Sequence, residues 1–155
     1  MYLTEDKNRG KVNEMITFRV SGQELGIDVM SVREIRVWTP ATPIAYAPSY
    51  VVGMINLRGV VLPIIDFAAR LGFEPTEPSS RHAILVAEIG DQNIGLLVEG
   101  VSEILTVAAD DVQDVPNVGS DTTREFVYGV LAKQNRMISL ISIQGLSPSS
   151  NSSFM

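Results

Sequence analysis

The chain contains no cysteine and a single histidine, His82, among 155 residues. The first absence removes disulfides, thiolate metal ligands and cysteine nucleophiles. The second removes the histidine clusters that build zinc centres, and any serine triad would depend on His82. No G-x-S-x-G turn is there to present the nucleophile. Neither GxxxxGK[ST] nor GxGxxG occurs, so no phosphate-cradling loop is indicated. Basic clusters are missing as well. Twelve Lys and Arg face eighteen Asp and Glu, for a net charge of −6, which disfavours nucleic acid or an anionic membrane as partner. No apolar run approaches the ~20 residues that cross a bilayer. The N-terminal MYLTEDKNRGK has none of the character of a signal peptide. These exclusions leave a cytoplasmic, non-catalytic protein without cofactor or metal as the expectation.

The isolated polar candidates read as structural. His82 opens a strand beside Arg81 and suits a surface or locally satisfied role. Asp110 and Asp111 suit the cap of a helical turn better than a catalytic carboxylate pair. Trp38, Tyr46 and Tyr50 surround a proline-rich loop. Without a basic groove they read as loop packing rather than as a platform for bases.

What the chain does have is short apolar strands. It is 45% hydrophobic and 19% charged, enough to bury a core. MITFRVS (15–21) alternates with period two, and LGIDV (25–29) returns after a tight turn. MSVREIRV (30–37) suits a helical turn running into a strand. PATPIAYAPSY (40–50), with its prolines, is an ordered loop. VVGMINL (51–57) and VVLPIID (60–66) are nearly continuously apolar, which predicts burial on both faces. Gly59 suits the positive-φ place in the turn between them. FAARLG (67–72) predicts a short helix ended by Gly72. HAILVAEI (82–89), IGLLVEGV (94–101), SEILTV (102–107), FVYGVLA (126–132) and MISLISI (137–143) continue the strand pattern. Residues 1–14 read as a flexible arm and 147–155 as a flexible polar tail.

The chain also repeats itself. A shift of 69 residues lays Gln23, Gly26, Val29, Val32, Glu34 and Ile35 on Gln92, Gly95, Val98, Val101, Glu103 and Ile104. A shift of 76 relates VVGMINLRGVVLPII to VYGVLAKQNRMISLI, with Gly53 on Gly129. Each half thus holds about five strands in one order. Five short strands have exposed edges and little area to bury alone. Closing each set into a small barrel and packing two barrels together resolves both difficulties.

Arg58 then stands out, because it heads a tight hairpin with apolar flanks. It suits either a solvated turn or an interface, where the rigid guanidinium fork is favoured. Gly53 and Gly95 lie inside strands, the mark of a bulge or a close backbone approach.

The segments GQELGIDVMSVREIR, APSYVVGMINLRGVVLPIID, IGLLVEGVSEIL and FVYGV…RMISLI together resemble the CheW family of chemotaxis adaptor proteins, over about residues 15–146. The resemblance implies an all-β fold: two intertwined, five-stranded SH3-like barrels sharing a hydrophobic core, with a few short helices. It implies a scaffold that couples methyl-accepting chemoreceptors to the histidine kinase CheA in receptor arrays. The partners would be the receptor's cytoplasmic hairpin tip and the kinase's regulatory domain. Matched by motif position, a receptor-binding groove would include Val32, Glu34, Gly53, Arg58, Ala83, Ile84, Gly95 and Ile104. Val101 would lie on the kinase side. Arg58 would touch a partner or clamp Glu34 in a salt bridge. At SLISIQGLSPSS the chain departs from the family pattern, and the resemblance then implies a shortened or absent closing helix.

Overall fold

The computed structural model describes residues 12–115 and 125–144. The expected tail, most of the expected arm and most of the stretch where a closing helix would stand lie outside that range. The strands are β1 (Val12–Val20), β2 (Gln23–Asp28), β3 (Val32–Val37), β4 (Val51–Leu57), β5 (Val60–Asp66), β6 (Ala83–Ile89), β7 (Gln92–Val98), β8 (Gly100–Ala108), β9 (Val112–Gln113), β10 (Val127–Lys133) and β11 (Arg136–Ile141). One short helix, α1 (Phe67–Arg70), follows β5, and 3-10 turns occupy Val29–Ser31 and Ala109–Asp111. The first strand starts at Val12, so it takes in the last residues of the expected arm. Only Glu99 separates β7 from β8, so the break falls earlier than the sequence pattern placed it.

Two sheets form. One runs β8-β1-β2-β11-β10-β9 and the other β3-β6-β7-β5-β4. The repeat is therefore real but exchanged, and the expectation that each half closes on itself needs correcting. Each sheet takes the opening hairpin of one half and the remaining strands of the other. The registers match across the repeat. Ile16 pairs with Ile104, and its counterpart Leu85 pairs with Ile35. Gly26 lies beside Leu140 in a parallel pair, as Gly95 lies beside Ile64. Each third strand carries a bulge at the same place: Arg33 is the extra residue on β3 and Ser102 on β8. The exchange brings edges of both halves into long-range pairing and ties the barrels into one body.

Among the described residues three apolar clusters result. Leu57, Leu62, Ile64, Ile84, Val86 and Leu97 fill the β3–β7 barrel. Met15, Val107, Leu131, Ile138 and Leu140 fill the other. The largest cluster lies between the sheets and draws Phe18, Ile27 and Ile141 from one, and Leu85, Ile94 and Leu96 from the other. Phe67 of α1 sits in it, 6.2 Å edge-on to Phe126 and 6.3 Å from Phe18, a favoured aromatic geometry. Buried Asp66 caps α1 by accepting from the Ala69 amide and also holds the Thr76 amide and hydroxyl, at 2.7 and 2.8 Å. That fixes the start of the linker before β6.

The turns obey backbone sterics. Arg58 (φ 53°) and Gly59 (φ 85°) form the two-residue β4–β5 turn, as Gln134 (φ 55°) and Asn135 (φ 62°) form the β10–β11 turn. Two consecutive positive φ values match the turn twist to that of the strands. The start of β5 is not buried on both faces: Val60 and Val61 are 56% and 62% exposed. They follow the turn directly, where β5 pairs only with β4, and β7 joins the strand from Ile64 onward.

Candidate functional site

The barrel formed by β3–β7 is not fully closed by backbone pairing, because β3 and β4 are the two ends of its sheet. Side chains span this seam. On β3, Glu34 and Arg36 pair with Val86 and Ile84, whose side chains belong to the barrel core. Cross-strand partners share a face, so both charged residues lie along the barrel-side rim of an edge strand. Arg58, held out by its turn, donates from Nη2 to Glu34 Oε1 at 2.6 Å. Arg36 donates from Nη1 to Glu34 Oε2 at 3.1 Å. Each carboxylate oxygen thus takes one guanidinium. The bond from Arg58, and then that from Arg36, holds the Glu34 carboxyl below its ordinary pKa.

The loop 38–50 packs on the same seam. Thr42 pairs with Met54 through two backbone bonds of 2.8 Å. Gly53 permits this, since a Cβ there would stand 2.5 Å from the Thr42 carbonyl oxygen. A cleft of about 350 Å³ remains, lined by Arg36, Pro40, Thr42, Ile55, Asn56 and Val61 among others.

The residues singled out in the sequence separate into groups. Glu34 and Arg58 are in contact, and Gly53 supports the loop beside them. Val32 and Ala83 are half-buried and pack on the shared core. Ile84 and Gly95 are wholly internal: Ile84 is 0% exposed, and a Cβ on Gly95 would meet Ile84 Cγ2 at 2.8 Å and Ile64 Cδ1 at 2.6 Å. They shape the barrel and present no surface in this structure. Ile104 (59% exposed) and Val101 lie on β8 of the other barrel, as counterparts of Ile35 and Val32.

The second barrel has its own ion cluster, which sequence reading missed. Glu103, the counterpart of Glu34, accepts from Arg136 Nη1 at 3.1 Å. Arg136 is also bound by Glu24. This bond is the largest influence lowering the Glu24 pKa, and the two carboxylates raise that of Arg136. Arg36 was missed too. Its alternation with Glu34 in VREIRV was the available signal, but its partner is set by the fold. Thr17, buried beneath the β8 bulge, bonds the Glu103 amide and carbonyl at 3.2 Å each.

His82 is satisfied locally: its Nδ1 accepts from the Ser79 amide at 3.0 Å. Asp111 accepts from the Ala108 amide at 3.2 Å and caps the second 3-10 turn. Among the described residues no group of His, Cys, Asp and Glu could hold a metal ion. No helix among them is long and apolar enough to cross a membrane.

Comparison with known proteins gives concordant matches. A family model described as CheW-like domain matches residues 14–150. The chain is 54% identical over 136 residues to the chemotaxis protein CheW of Rhizobium meliloti, with 88% of each chain covered. It is 50% identical over 145 residues to a probable chemotaxis protein CheW of Rhizobium etli, covering 94% of this chain and 93% of the relative. Among solved structures, the scaffolding protein TtCheW of Thermoanaerobacter tengcongensis superposes with a TM-score of 0.80 at 28% identity, over 86% of this chain and 91% of that one.

Proposed function

The chain belongs to the CheW family, and from that premise we propose how it serves as a chemotaxis scaffold. It is an adaptor in signal transduction, holding signalling proteins together rather than transforming a substrate. Its two partners are the cytoplasmic hairpin tip of a methyl-accepting chemoreceptor and the regulatory domain of a CheA-type histidine kinase. It works in the cytoplasm, recruited to membrane-associated receptor arrays.

The observation that carries this reading is the 54% identity to a chemotaxis CheW protein across 88% of both chains. The geometry supports it. A receptor tip is a helical hairpin and docks by laying an apolar ridge against an apolar surface. The seam with Arg58 and Glu34, flanked by exposed Val60 and Val61, offers a rigid, polar-edged surface of that kind. Val32 and Ala83, half-buried against the shared core, form a part of the receptor-binding set on the other face of the sheet, while Gly53, Ile84 and Gly95 set the shape of the barrel from beneath. Ile104 is a separate receptor contact on β8 of the other barrel, and Val101 on the same strand is assigned to the kinase side. Separate contact surfaces on one rigid body let two partners bind together, and linked weak contacts add in an array.

The test is calorimetric titration of the protein with the regulatory domain of the cognate kinase, and separately with a receptor hairpin fragment. Saturable binding of each at equal stoichiometry is expected. A folded protein that binds neither overturns the reading.

A further inference from the structure

The two ion clusters are built on repeat-equivalent carboxylates, Glu34 and Glu103, and their hydrogen-bonded ion pairs carry opposite balances. In the second barrel one guanidinium, Arg136, is shared by two carboxylates, Glu24 and Glu103. In the β3–β7 barrel one carboxylate, Glu34, is shared by two guanidiniums, Arg36 and Arg58. The second cluster satisfies its arginine internally. The first leaves a cation in excess, in a protein whose net charge is −6. The imbalance is sharpest at Arg36. Its Nη1 is committed to Glu34, while its buried Nε has no hydrogen-bond partner. A buried guanidinium N–H left unpaired is costly. Arg36 also lines the cleft of about 350 Å³ between β3, β4 and the 38–50 loop.

The other walls of the cleft define what would fit. Pro40, Met54, Ile55 and Val61 are apolar, while Thr39 and Asn56 add polar groups. Gly59 of the Arg58 turn borders it, so the cleft is continuous with the surface assigned above to the receptor. We propose that this cleft is a subsite for one acidic side chain of the receptor hairpin, whose carboxylate pairs with the Arg36 guanidinium while its neighbours rest on Ile55 and Val61. The inference rests on the receptor reading of the Arg58 surface and adds to it the chemistry of one contact. A carboxylate supplies the missing negative charge, and a guanidinium already held in place by Glu34 gives the contact direction. A helical hairpin can present such a side chain beside an apolar ridge without distorting either.

The test uses the full chain and a receptor hairpin fragment, with binding followed by calorimetry. Arg36→Gln is expected to weaken hairpin binding by about tenfold, the loss of one charge-assisted contact. Kinase regulatory-domain binding should stay unchanged. Arg36→Glu should abolish hairpin binding, and replacing one hairpin carboxylate by lysine should restore it. Thr42→Glu, which places the protein's own carboxylate at the cleft and leaves Arg36 in place, should also block the hairpin. This second variant covers the case in which Arg36 substitutions impair folding. If the hairpin binds the unaltered chain, and the folded Arg36 or Thr42 variants bind it equally well, the subsite is wrong and the receptor reading stands. Loss of kinase-domain binding alone would assign the cleft to the other partner and overturn the inference. If the hairpin fails to bind even the unaltered chain, the receptor reading falls and the subsite with it.

Discussion

Arg58 reaches across the β3–β4 seam to Glu34, 24 residues earlier in the chain, and donates a 2.6 Å hydrogen bond. The Arg58 side chain remains 68% exposed while doing so. A pair this open to water adds little to stability, because solvent screens it and two long side chains must be held still. Its geometry fixes a guanidinium at the tip of a rigid turn. Arg58→Ala should therefore leave the thermal midpoint nearly unchanged and weaken receptor-hairpin binding by about tenfold or more, as for an interface anchor. Parallel melting and titration of the variant check this.

Both Glu34 and Glu24 are held below the ordinary carboxylate pKa by hydrogen bonds from arginine. A carboxyl with a lowered folded-state pKa binds fewer protons folded than unfolded. Its stabilising contribution is present above the unfolded value of about 4.3 and is lost as pH falls through the folded value. Stability should decline on acidification below about pH 5, mostly through Glu24, whose side chain is 15% exposed, and the Glu24→Gln, Glu34→Gln double variant should show a flatter decline. Urea melts from pH 6 to pH 3 measure it.

The strand glycines should differ according to what surrounds them. Gly53→Ala drives a methyl to within 2.5 Å of the Thr42 backbone oxygen, which has no rotamer to escape by. A loss of about 2–3 kcal/mol is expected, at the upper end of overpacking effects. Gly59→Ala meets nothing within 4 Å and bears only its φ of +85°; about 1 kcal/mol is expected. Chemical denaturation should preserve that order, and a larger effect at Gly59 would contradict the packing argument.

Phe67 is fully buried between Phe18 and Phe126, which come from β1 and from just before β10. Phe67→Ala should cost about 3–5 kcal/mol. Because strands are exchanged between barrels, the variant should still unfold in one transition. Two separated transitions would mean that the barrels are energetically independent.

The hairpins were legible because period-two alternation and turn residues act locally. The repeat was legible because registers and bulges must be kept for both copies to pack, as Gly26 and Gly95 illustrate. The exchange of strands was not legible in the repeat itself; only the family resemblance, with its intertwined barrels, implied it. Ile16 can face Ile35 or Ile104 with equal chemistry, and only the tertiary fold selects Ile104. Val60 and Val61 look like core residues because an apolar run does not reveal where its sheet ends. The tie between Glu34 and Arg58 was anticipated as one of two roles for the arginine. Arg36 was overlooked because its neighbours along β3 say nothing about the cleft that the proline-rich loop builds against it. Gln23, a marker of the repeat, lies next to Glu24, whose ion pair with Arg136 depends on the parallel contact of β2 with β11.

The most direct test of the adaptor account is simultaneous binding. The protein would be saturated with the kinase regulatory domain and titrated with the receptor hairpin in the analytical ultracentrifuge. The account predicts a faster-sedimenting species holding all three components at equal stoichiometry, with hairpin affinity little altered by the kinase domain. Displacement of the kinase domain by the hairpin would mean that the two share one surface, and would contradict the claim that this chain couples them.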